Sequence, residues 1–475
     1  MNDMRMFVAL GTAMELSDLA YICDGKLLLC GARSVTSVTT DSRCVTRDTL
    51  FIAIKGERFD GHDYIGAAFK AGAACALCER MPEGVCGNII LVDDTVRALG
   101  ALAGAYKERL APLTVAVTGS VGKTTTKEFI YAVLSEKYYT HKTEGNFNNE
   151  IGLPLTLLRL SPKHGALALE LGMSFRGEIS RLTRIARPDI ALITNIGSSH
   201  IENLGSREGI RDAKLEILDG LRGGGHIILN ADEPLLAGIS GAYYVGERDG
   251  ADMVIKNIRM RGGDPLSQNT VFDLSAGGRE YSDIIIPAAG EHNARDAAYA
   301  FAVGLFCGES EGQIRSGLQN FRNTGMRQKI YECINSAYGI DATIIEDCYN
   351  SSPEACAAAL PVLARTARLK GGRAVAVLGD MLELGGESER LHYETGLLAA
   401  KYADALVTYG SLSSSTARGA RDGGMNESDI VELESTDAEN AAYLLRHFLR
   451  QGDTVLFKAS RAMALERVIE LYRGE

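Results

Sequence analysis

The residues best suited to chemistry in this chain of 475 residues lie in one glycine-containing stretch, Gly119-Ser-Val-Gly-Lys-Thr-Thr-Thr-Lys127. An apolar run, Leu113-Thr-Val-Ala-Val117, precedes it, so we expect a strand to lead into a loop and then into a helix. In such a loop, backbone N–H groups turn toward phosphate oxygens, a lysine reaches the terminal phosphates and a hydroxyl can bind Mg²⁺. The stretch therefore predicts a nucleotide phosphate site that uses Lys123 and Thr124.

The spacing departs from the standard phosphate-binding pattern G-x-x-x-x-G-K-[ST], which would place glycine at the position of Val117. We interpret the loop as a shortened variant whose first glycine is Gly119. The alternative is an ordinary strand-to-helix turn that carries a lysine. Such a loop does not by itself distinguish a ligase from a kinase, a motor or a GTPase, although no guanine-reading [NT]-K-x-D stretch is present. An apolar run that ends at Asp380 imitates the second motif of phosphate-loop proteins but falls in a later part of the chain.

Two more candidate ligands follow apolar runs of strand length. Glu170 follows Ala166-Leu-Ala-Leu169, and His200 follows Ile190-Ala-Leu-Ile193. Open parallel sheets place their sites where the strands end, so either side chain could bind a metal. From the residues alone, a structural, hydrogen-bonded role for His200 and a solvent-exposed helical role for Lys214 remain the alternatives.

Composition limits the class of protein that must position these residues. Lys and Arg number 50 against 61 Asp and Glu, a net charge of −11, which argues against nucleic-acid binding or an anionic membrane surface. No apolar run approaches the ~20 residues that span a bilayer, so we expect a soluble, cytoplasmic protein without membrane insertion. Cys75 and Cys78 have the spacing of a redox or zinc pair, but we predict plain buried thiols. Residues 6–14 resemble a signal sequence only superficially and are predicted to form a helix.

The elements divide into three predicted α/β domains, in line with a prior of about 150 residues per domain. Residues 1–112 alternate short strands and helices. Residues 113–325 contain apolar strand-length runs typical of a parallel sheet covered on both faces, as in a mononucleotide-binding core, with a hairpin excursion at residues 243–286. Residues 326–475 begin another strand–helix alternation of the Rossmann-like type.

Motifs in all three predicted domains resemble, in order, the Mur ligases of peptidoglycan synthesis, and most closely the branch that adds a D-alanyl-D-alanine dipeptide. The matching stretches are Asp41-Ser-Arg43, Lys55-Gly56, the loop from Gly119, Asn146-Phe-Asn-Asn149, Glu170-Leu-Gly-Met173, Thr194-Asn-Ile-Gly197 with His200, Ala213-Lys214, His292-Asn293, Asp347-Cys-Tyr-Asn350, Leu378-Gly-Asp-Met-Leu-Glu-Leu-Gly385 and Lys458-Ala-Ser-Arg461. Asp296 stands where the family usually has a second Asn, and the Asp-Asn-Pro-Arg stretch of amino-acid-adding relatives is absent.

The resemblance implies an ATP-dependent ligase that joins D-Ala-D-Ala to UDP-MurNAc-tripeptide through an acyl phosphate, as the last cytoplasmic step of UDP-MurNAc-pentapeptide synthesis. It implies a UDP-sugar domain, an ATP domain and a C-terminal ligase domain, and we expect a monomer. Catalytic roles fall on Lys123, His200 and Lys214. The implied ATP-binding residues are Thr118, Gly119, Ser120, Val121, Gly122, Lys123, Thr124, Thr125, Asn293, Arg327, Asp347 and Tyr349.

The remaining implied sites concern metals and the two other substrates. Two Mg²⁺ ions are expected on Thr124, Glu170, His200 and Lys214, with Lys214 carbamylated by CO₂, because an ammonium has no lone pair for a metal. The UDP-substrate residues are Asp41, Ser42, Arg43, Lys55, Gly56, Asn148 and Asn149, and the dipeptide residues are Lys458, Ser460 and Arg461.

Two other functions remain open at this point. One is a sister ligase that adds an amino acid or polyglutamate, although the Asp-Ser-Arg and Lys-Gly stretches argue against the folate branch. The other is a phosphate-loop phosphotransferase or regulatory ATPase that performs no ligation.

Overall fold

The computed structural model describes residues 6–28, 31, 34–263, 266, 268–335 and 340–474. The chain separates into two compact units. The first consists of Met1–Thr118, Lys137–Leu192 and Leu215–Ile227. The second consists of Gly119–Glu136, Ile193–Lys214 and Ile228–Glu475.

The first unit begins with a six-stranded sheet. Its elements are β1 (Phe7–Glu15), α1 (Leu16–Ile22), β2 (Lys26–Leu28), β3 (Ser34–Thr39), β4 (Thr49–Ile52), α2 (Ile65–Ala71), β5 (Ala73–Cys78), β6 (Asn88–Leu91) and α3 (Thr95–Leu110). The strand order is β1-β3-β4-β5-β6-β2, and β1 and β2 each pair antiparallel with their neighbour while the other strands are parallel. Local sequence explains the helix ends, since Asp94 caps the start of α3 and Gly72, at φ 110°, ends α2 in a left-handed turn.

The alternation of short strands and helices predicted for residues 1–112 is confirmed, for example by β4, α2 and β6. The helix predicted for residues 6–14 is wrong, because this segment is strand β1, paired with β3 from Phe7 opposite Thr39 to Glu15 opposite Ser34. Tertiary pairing with a distant strand overrides local preference here. Cys75 and Cys78 are buried on β5 as predicted, and burial raises the pKa of Cys75 to about 12.

The middle of the chain supplies the strands and helices that carry the phosphate loop. They are β7 (Leu113–Thr118), α4 (Lys123–Leu134), β8 (Thr140–Lys142), α5 (Gly152–Leu158), β9 (Ala166–Glu170), α6 (Glu178–Ala186), β10 (Ile190–Ile193), α7 (Ile201–Leu204), α8 (Arg207–Leu215) and β11 (His226–Asn230). In the first unit the strand order is β10-β7-β9-β8, with β9 parallel to both β7 and β8. Every residue of β9 and β10 is buried, which confirms the prediction of parallel strands covered on both faces.

The hairpin excursion predicted for residues 243–286 is also confirmed, and it lies in the second unit. The elements are β12 (Ala242–Gly246), β13 (Met253–Arg261), β14 (Asn269–Ala276) and β15 (Arg279–Ile286), followed by α9 (Glu291–Phe306) and α10 (Glu311–Gln319). Strand β13 is parallel to β12 and antiparallel to β14, which pairs antiparallel with β15. Helix α9 is rich in alanine and buried over most of its length, and it packs against α4.

The last part of the second unit is a six-stranded sheet with helices on both faces. Its elements are β16 (Lys329–Asn335), β17 (Ile340–Glu346), α11 (Pro353–Lys370), β18 (Ala374–Gly379), α12 (Ser388–Tyr402), β19 (Ala405–Tyr409), α13 (Ser414–Asp422), β20 (Ile430–Leu433), α14 (Ala438–Phe448), β21 (Thr454–Lys458) and α15 (Glu466–Arg473). The order is β16-β17-β21-β18-β19-β20, parallel except for β16. Two buried apolar clusters cover its faces. None of the helices in the described ranges is both long and apolar enough to cross a membrane.

Candidate functional site

The phosphate loop, residues 119–123, connects β7 to the first turn of α4. Gly119 and Gly122 have φ values of 153° and 84°, conformations that residues with a side chain rarely adopt. Ser120 donates its backbone N–H to the carbonyl of Asn195 at 3.1 Å, and Val121 donates its N–H to Asn195 Oδ1 at 3.0 Å. The segment after β10 therefore holds the loop.

Thr194 and Asn195 bind the other side of Val121. Thr194 Oγ1 donates to the Val121 carbonyl at 2.6 Å, and Asn195 Nδ2 donates to the same oxygen at 3.0 Å. A Cβ on Gly119 would lie 1.9 Å from Thr194 Oγ1, so no other residue fits there without displacing this contact. Thr194 and Asn195 appeared in the sequence only as part of a motif, and the structure gives them this supporting role.

Lys123 folds back over the loop that precedes it. Its Nζ donates to the carbonyls of Gly119 at 2.7 Å and Ser120 at 3.1 Å. Thr124 follows in the first turn of α4 and is buried. Lys123 and Thr124 thus lie at a helix N-terminus, where partial positive charge favours an anion.

Lys214 is a buried residue of α8 and does not match the solvent-exposed alternative. Only 2% of the residue is exposed. Burial, with a contribution from the charge of Lys123, lowers the pKa of the Lys214 amine well below its ordinary value. The structure therefore favours a neutral amine at this position.

His200 begins α7 with a positive φ of 66°, and its imidazole contacts a residue from the C-terminal sheet region. His200 Nδ1 lies 2.5 Å from Glu383 Oε2, and the N–H of Glu202 donates to the Glu383 carbonyl at 3.3 Å. The hydrogen bond with His200 holds the pKa of Glu383 below its ordinary value. Sequence reasoning assigned Glu383 to a motif but did not identify it as a partner of His200.

Glu354 makes a second contact between the same two regions. Its Oε1 accepts hydrogen bonds from the backbone N–H and the hydroxyl of Ser198, both at 2.8 Å. The neighbouring Gly197 donates its N–H to Ser120 Oγ in the phosphate loop at 2.8 Å. A continuous path of contacts thus runs from the phosphate loop to the first turn of α11, and only the fold reveals it.

The residues predicted to contact adenine and phosphate near α9 also lie in the second unit. Asn293 is buried and donates to the Ala289 carbonyl at 2.7 Å and to Gln328 Oε1 at 3.1 Å. Arg327 lies over the ring of Tyr349, with 4.2 Å between the guanidinium carbon and the ring centre. Arg327 and Tyr349 were both predicted as nucleotide-binding residues, and the structure brings them together.

The predicted dipeptide residues lie at the end of β21, where the structure pairs them with other protein groups. Lys458 Nζ lies 2.7 Å from Asp347 Oδ2 and donates to the Asn350 carbonyl at 3.2 Å. Ser460 is buried, and its Oγ accepts the N–H of Leu382 at 2.9 Å. Arg461 is exposed and paired with Glu466 at 2.5 Å. Lys458 thus contacts Asp347, which was predicted as part of the nucleotide pocket.

Glu170 and Asn148 form a local pair within the first unit. Glu170 is buried at the end of β9, and its Oε1 accepts a hydrogen bond from Asn148 Nδ2 at 3.0 Å. Its backbone N–H donates to Thr143 Oγ1 at 3.1 Å. Thr118, at the end of β7, donates its hydroxyl to the Leu171 carbonyl at 3.0 Å. The structure therefore brings a predicted metal ligand against a predicted substrate residue.

The predicted UDP-substrate residues at the start of the first unit form two short local structures. Asp41 caps a turn by accepting the N–H of Arg43 at 2.9 Å, and it also pairs with the Arg43 guanidinium at 2.7 Å. Lys55 is exposed, and its backbone forms an isolated antiparallel β-bridge with Asp60. Gly56 donates its N–H to the Phe59 carbonyl at 2.9 Å. Asn149 is exposed, and its Oδ1 accepts the N–H of Gly152 at the start of α5 at 2.8 Å. These roles remain predictions.

The donor groups are consistent with Mg²⁺ bound together with a nucleotide. Within the part of the chain that the structure describes, no group of three or more His, Cys, Asp or Glu side chains could hold a metal by itself. Mg²⁺ in nucleotide sites takes most of its ligands from phosphates and water, with one or two protein oxygens. The hydroxyl of Thr124 in the second unit and, separately, the carboxylate of Glu170 in the first unit are oxygen donors of this kind.

Three family models match the chain in order. The model for the Mur ligase family, catalytic domain, matches residues 34–107. The Mur ligase middle domain matches residues 117–304, and the Mur ligase, glutamate ligase domain, matches residues 331–461. The three matches support the three-domain α/β fold predicted from the sequence, while the exact boundaries at 112/113 and 325/326 remain a prediction.

Individual relatives match nearly the whole chain. The UDP-N-acetylmuramoyl-tripeptide–D-alanyl-D-alanine ligase of Bacillus subtilis is 41% identical over 440 residues, covering 92% of this chain and 93% of the relative. A crystal structure of MurF from Acinetobacter baumannii superposes with a TM-score of 0.87 at 30% identity, covering 98% and 100% of the two chains. The MurF ligase of Thermotoga maritima in complex with ADP superposes with a TM-score of 0.79 at 30% identity, covering 92% and 97%. Identity and coverage at these levels, together with the ordered domain matches, make this chain a member of the Mur ligase family.

Proposed function

We propose that this chain is an ATP-dependent ligase that joins D-Ala-D-Ala to the peptide of UDP-MurNAc-tripeptide. The observation that carries the proposal is end-to-end similarity to relatives named for this reaction, together with a phosphate loop whose glycines and lysine are held in place. The ADP complex of the Thermotoga maritima relative supports the choice of nucleotide.

The proposed reaction proceeds in two steps. A carboxylate oxygen of the tripeptide attacks the γ-phosphorus of ATP, ADP leaves, and an acyl phosphate forms. The amine of D-Ala-D-Ala then attacks the acyl carbon, a proton is lost and inorganic phosphate leaves. The first step brings a carboxylate against a triphosphate, so preorganised positive charge must offset their repulsion. Lys123 and the N-terminus of α4 supply this charge.

Lys214 would complete the set of proposed metal ligands. In this proposal, Thr124, Glu170, His200 and a carbamylated Lys214 hold Mg²⁺, which neutralises phosphate charge when bound. Only a neutral amine can attack CO₂, and burial, with the nearby charge of Lys123, lowers the pKa of the Lys214 amine and so favours that form. The new N–C bond turns the amine into an anionic oxygen donor, and the displaced proton passes to solvent.

The remaining assignments belong to the same proposal. Asp41, Arg43 and Lys55 would contact the UDP-sugar, and Asn293, Arg327 and Tyr349 the nucleotide. Cytoplasmic location and a monomeric state are also part of this proposal.

A product assay tests the reaction directly. The chain is incubated with ATP, Mg²⁺ and UDP-MurNAc-tripeptide, with either D-Ala-D-Ala or single amino acids, and the products are weighed by mass spectrometry. We expect the mass of the tripeptide to increase only with the dipeptide. An increase with a single amino acid would identify a sister ligase, and ADP without a heavier peptide would identify a phosphotransferase or ATPase.

A second experiment tests the carbamate. Incubation with ¹³C-bicarbonate should give a carbamate carbon signal in NMR spectra that Lys214→Ala lacks. The same variant should lose activity and recover part of it with acetate or formate. Lys107, a buried lysine that donates to the Arg187 carbonyl at 3.2 Å, supplies the matched control, since Lys107→Ala should retain the signal and gain nothing from carboxylates. An unchanged signal in Lys214→Ala would refute the carbamate.

A further inference from the structure

Asp296 is a buried carboxyl group that lies directly behind the phosphate loop. It projects from the second turn of α9, and 7% of the residue is exposed. A Cβ on Gly122 would lie 2.9 Å from Asp296 Oδ1 and 3.3 Å from Oδ2. The carboxyl group therefore packs against the second glycine of the loop, at the start of α4.

The groups around Asp296 do not neutralise a negative charge there. Asp296 forms no ion pair with any residue in the described ranges. Its neighbour on α9, Arg295, is directed toward Glu247 at 2.7 Å and Asp232 at 3.4 Å. Tyr299 lies one turn further along α9 and is fully buried.

Helix α4, which packs against α9, contributes charges of both signs near Asp296. Lys127 pairs with Glu128 at 2.9 Å, so these two charges compensate each other. Lys123 donates to the carbonyls of its own loop. The hydroxyl of Thr126 on α4 also acts on Asp296 through a hydrogen bond. A buried carboxylate without a cationic partner is costly, and the usual response is protonation.

The direction of the pKa shift of Asp296 agrees with this geometry. Burial raises the pKa of Asp296 to about 7, although Thr126 and Arg295 act in the opposite direction. The carboxyl group is then neutral below about pH 7 and charged above it. Near neutral pH, a small change in its surroundings can change its protonation.

We propose that Asp296 is a positioning residue of the phosphate loop, and that the loop binds nucleotide phosphate with the carboxyl group of Asp296 protonated. The ligand in this inference is the nucleotide of the proposed function, on which it rests. An ionised Asp296 and a bound phosphate would both draw on the positive potential of the same loop and helix N-terminus. Phosphate binding therefore favours the neutral acid, which takes its proton from solvent.

The consequence is a nucleotide affinity that falls as the pH rises. When the free protein is ionised at Asp296 and the complex is protonated, one proton is taken up per nucleotide bound. The dissociation constant then rises by up to tenfold per pH unit above about pH 7. Asp296→Asn is close in shape to Asp and carries no titrating group, so it should show no such dependence.

The test is calorimetric titration of the full chain with MgADP between pH 6.5 and 8.5, in two buffers of different ionisation enthalpy. From pH 7.5 to 8.5, we expect the dissociation constant to rise at least threefold more for the parent than for Asp296→Asn. We also expect proton uptake at pH 8 only in the parent. Ionisation of ADP itself is common to both proteins and cancels in the comparison.

Superimposable pH profiles and equal proton uptake would overturn the inference while leaving the proposed function intact. If neither protein binds MgADP, the proposed function fails and the inference fails with it. Circular dichroism and thermal unfolding show whether Asp296→Asn folds. If it does not, proton uptake by the parent protein alone still tests the inference. Absence of proton uptake at pH 8, where ADP is fully ionised, would refute the role of Asp296.

Discussion

Lys123 and Lys458 both lie near the carboxyl end of a parallel strand, and the groups that accept their hydrogen bonds differ in charge. Lys123 donates to carbonyls of Gly119 and Ser120, at most four positions away in its own loop. Lys458 is buried and paired at 2.7 Å with the carboxylate of Asp347, 111 positions away. Carbonyl oxygens accept hydrogen bonds without a full charge, whereas a carboxylate cancels the charge of its partner.

A lysine that stands out in a sequence is therefore not always available to bind a ligand. Lys123 can exchange its carbonyl partners for phosphate oxygens, because both are hydrogen-bond acceptors and the phosphate adds charge. Lys458 would have to break a buried ion pair to reach the carboxylate of a dipeptide. Four variants test this distinction.

The largest effect is expected from Lys123→Ala. Removal of the loop cation should lower the turnover number for amide formation by about 10³-fold or more, because it stabilises charge on the transferring phosphoryl group. Product formation measured by mass spectrometry checks this. The exposed Lys163→Ala is the matched control and should retain parental activity. A Lys123→Ala enzyme within threefold of the parent would show that the loop lysine does not stabilise transfer.

Lys458→Met should act mainly on stability. It leaves Asp347 without its partner, and loss of one member of such a pair costs about 3 kcal/mol of unfolding free energy. Urea denaturation measures this cost. The double variant Lys458→Met/Asp347→Leu should recover part of the lost unfolding free energy, because no buried charge is then left without a partner. Unchanged stability with a raised KM for D-Ala-D-Ala would instead assign Lys458 to the dipeptide.

Gly119→Ala should weaken the loop itself. The added methyl group would meet Thr194 Oγ1 at 1.9 Å, and we expect a loss of about 2 kcal/mol in stability together with weaker MgADP binding. Gly205→Ala is the control, since Gly205 has a positive φ of 80° but open space around it. It should cost about 1 kcal/mol and leave binding unchanged. Equal effects of the two substitutions would argue against close packing of Gly119 on Thr194.

The smallest effect is expected from Arg461→Ala. Arg461 forms an exposed pair with Glu466, so stability should change by less than about 1 kcal/mol. If this arginine binds the dipeptide carboxylate, KM for D-Ala-D-Ala should rise about tenfold while the turnover number stays constant. Steady-state kinetics with Arg461→Lys alongside checks the role of the charge. An unchanged KM would remove Arg461 from the dipeptide site.

The elements that sequence predicted well are those specified by local pattern. Buried apolar runs predicted β7, β9 and β10, and the glycine loop predicted the start of α4. The segment 6–14 was predicted incorrectly because its strand conformation depends on pairing with β3. Strand β16 was not identified, since it is the antiparallel edge strand of the last sheet and its partner decides its conformation.

The same division applies to the candidate site. Residue type and spacing predicted Lys123, Thr124 and Glu170 as candidates, because each lies at or shortly after the end of a predicted strand. They did not identify Glu354 or Glu383 as partners of Ser198 and His200, because these contacts join positions about 156 and 183 residues apart.

The sequence by itself determined the family, the reaction class and the phosphate loop, since these depend on short motifs whose residues are neighbours in the chain. Only the tertiary structure decided which charged groups are paired and which are isolated. It buried Lys214 near Lys123 and paired Lys458 with Asp347. It also placed Asp296 against Gly122, with no ion-pair partner among the residues that the structure describes. Burial and distant partners set the charge of an ionisable group, and both are properties of the folded chain.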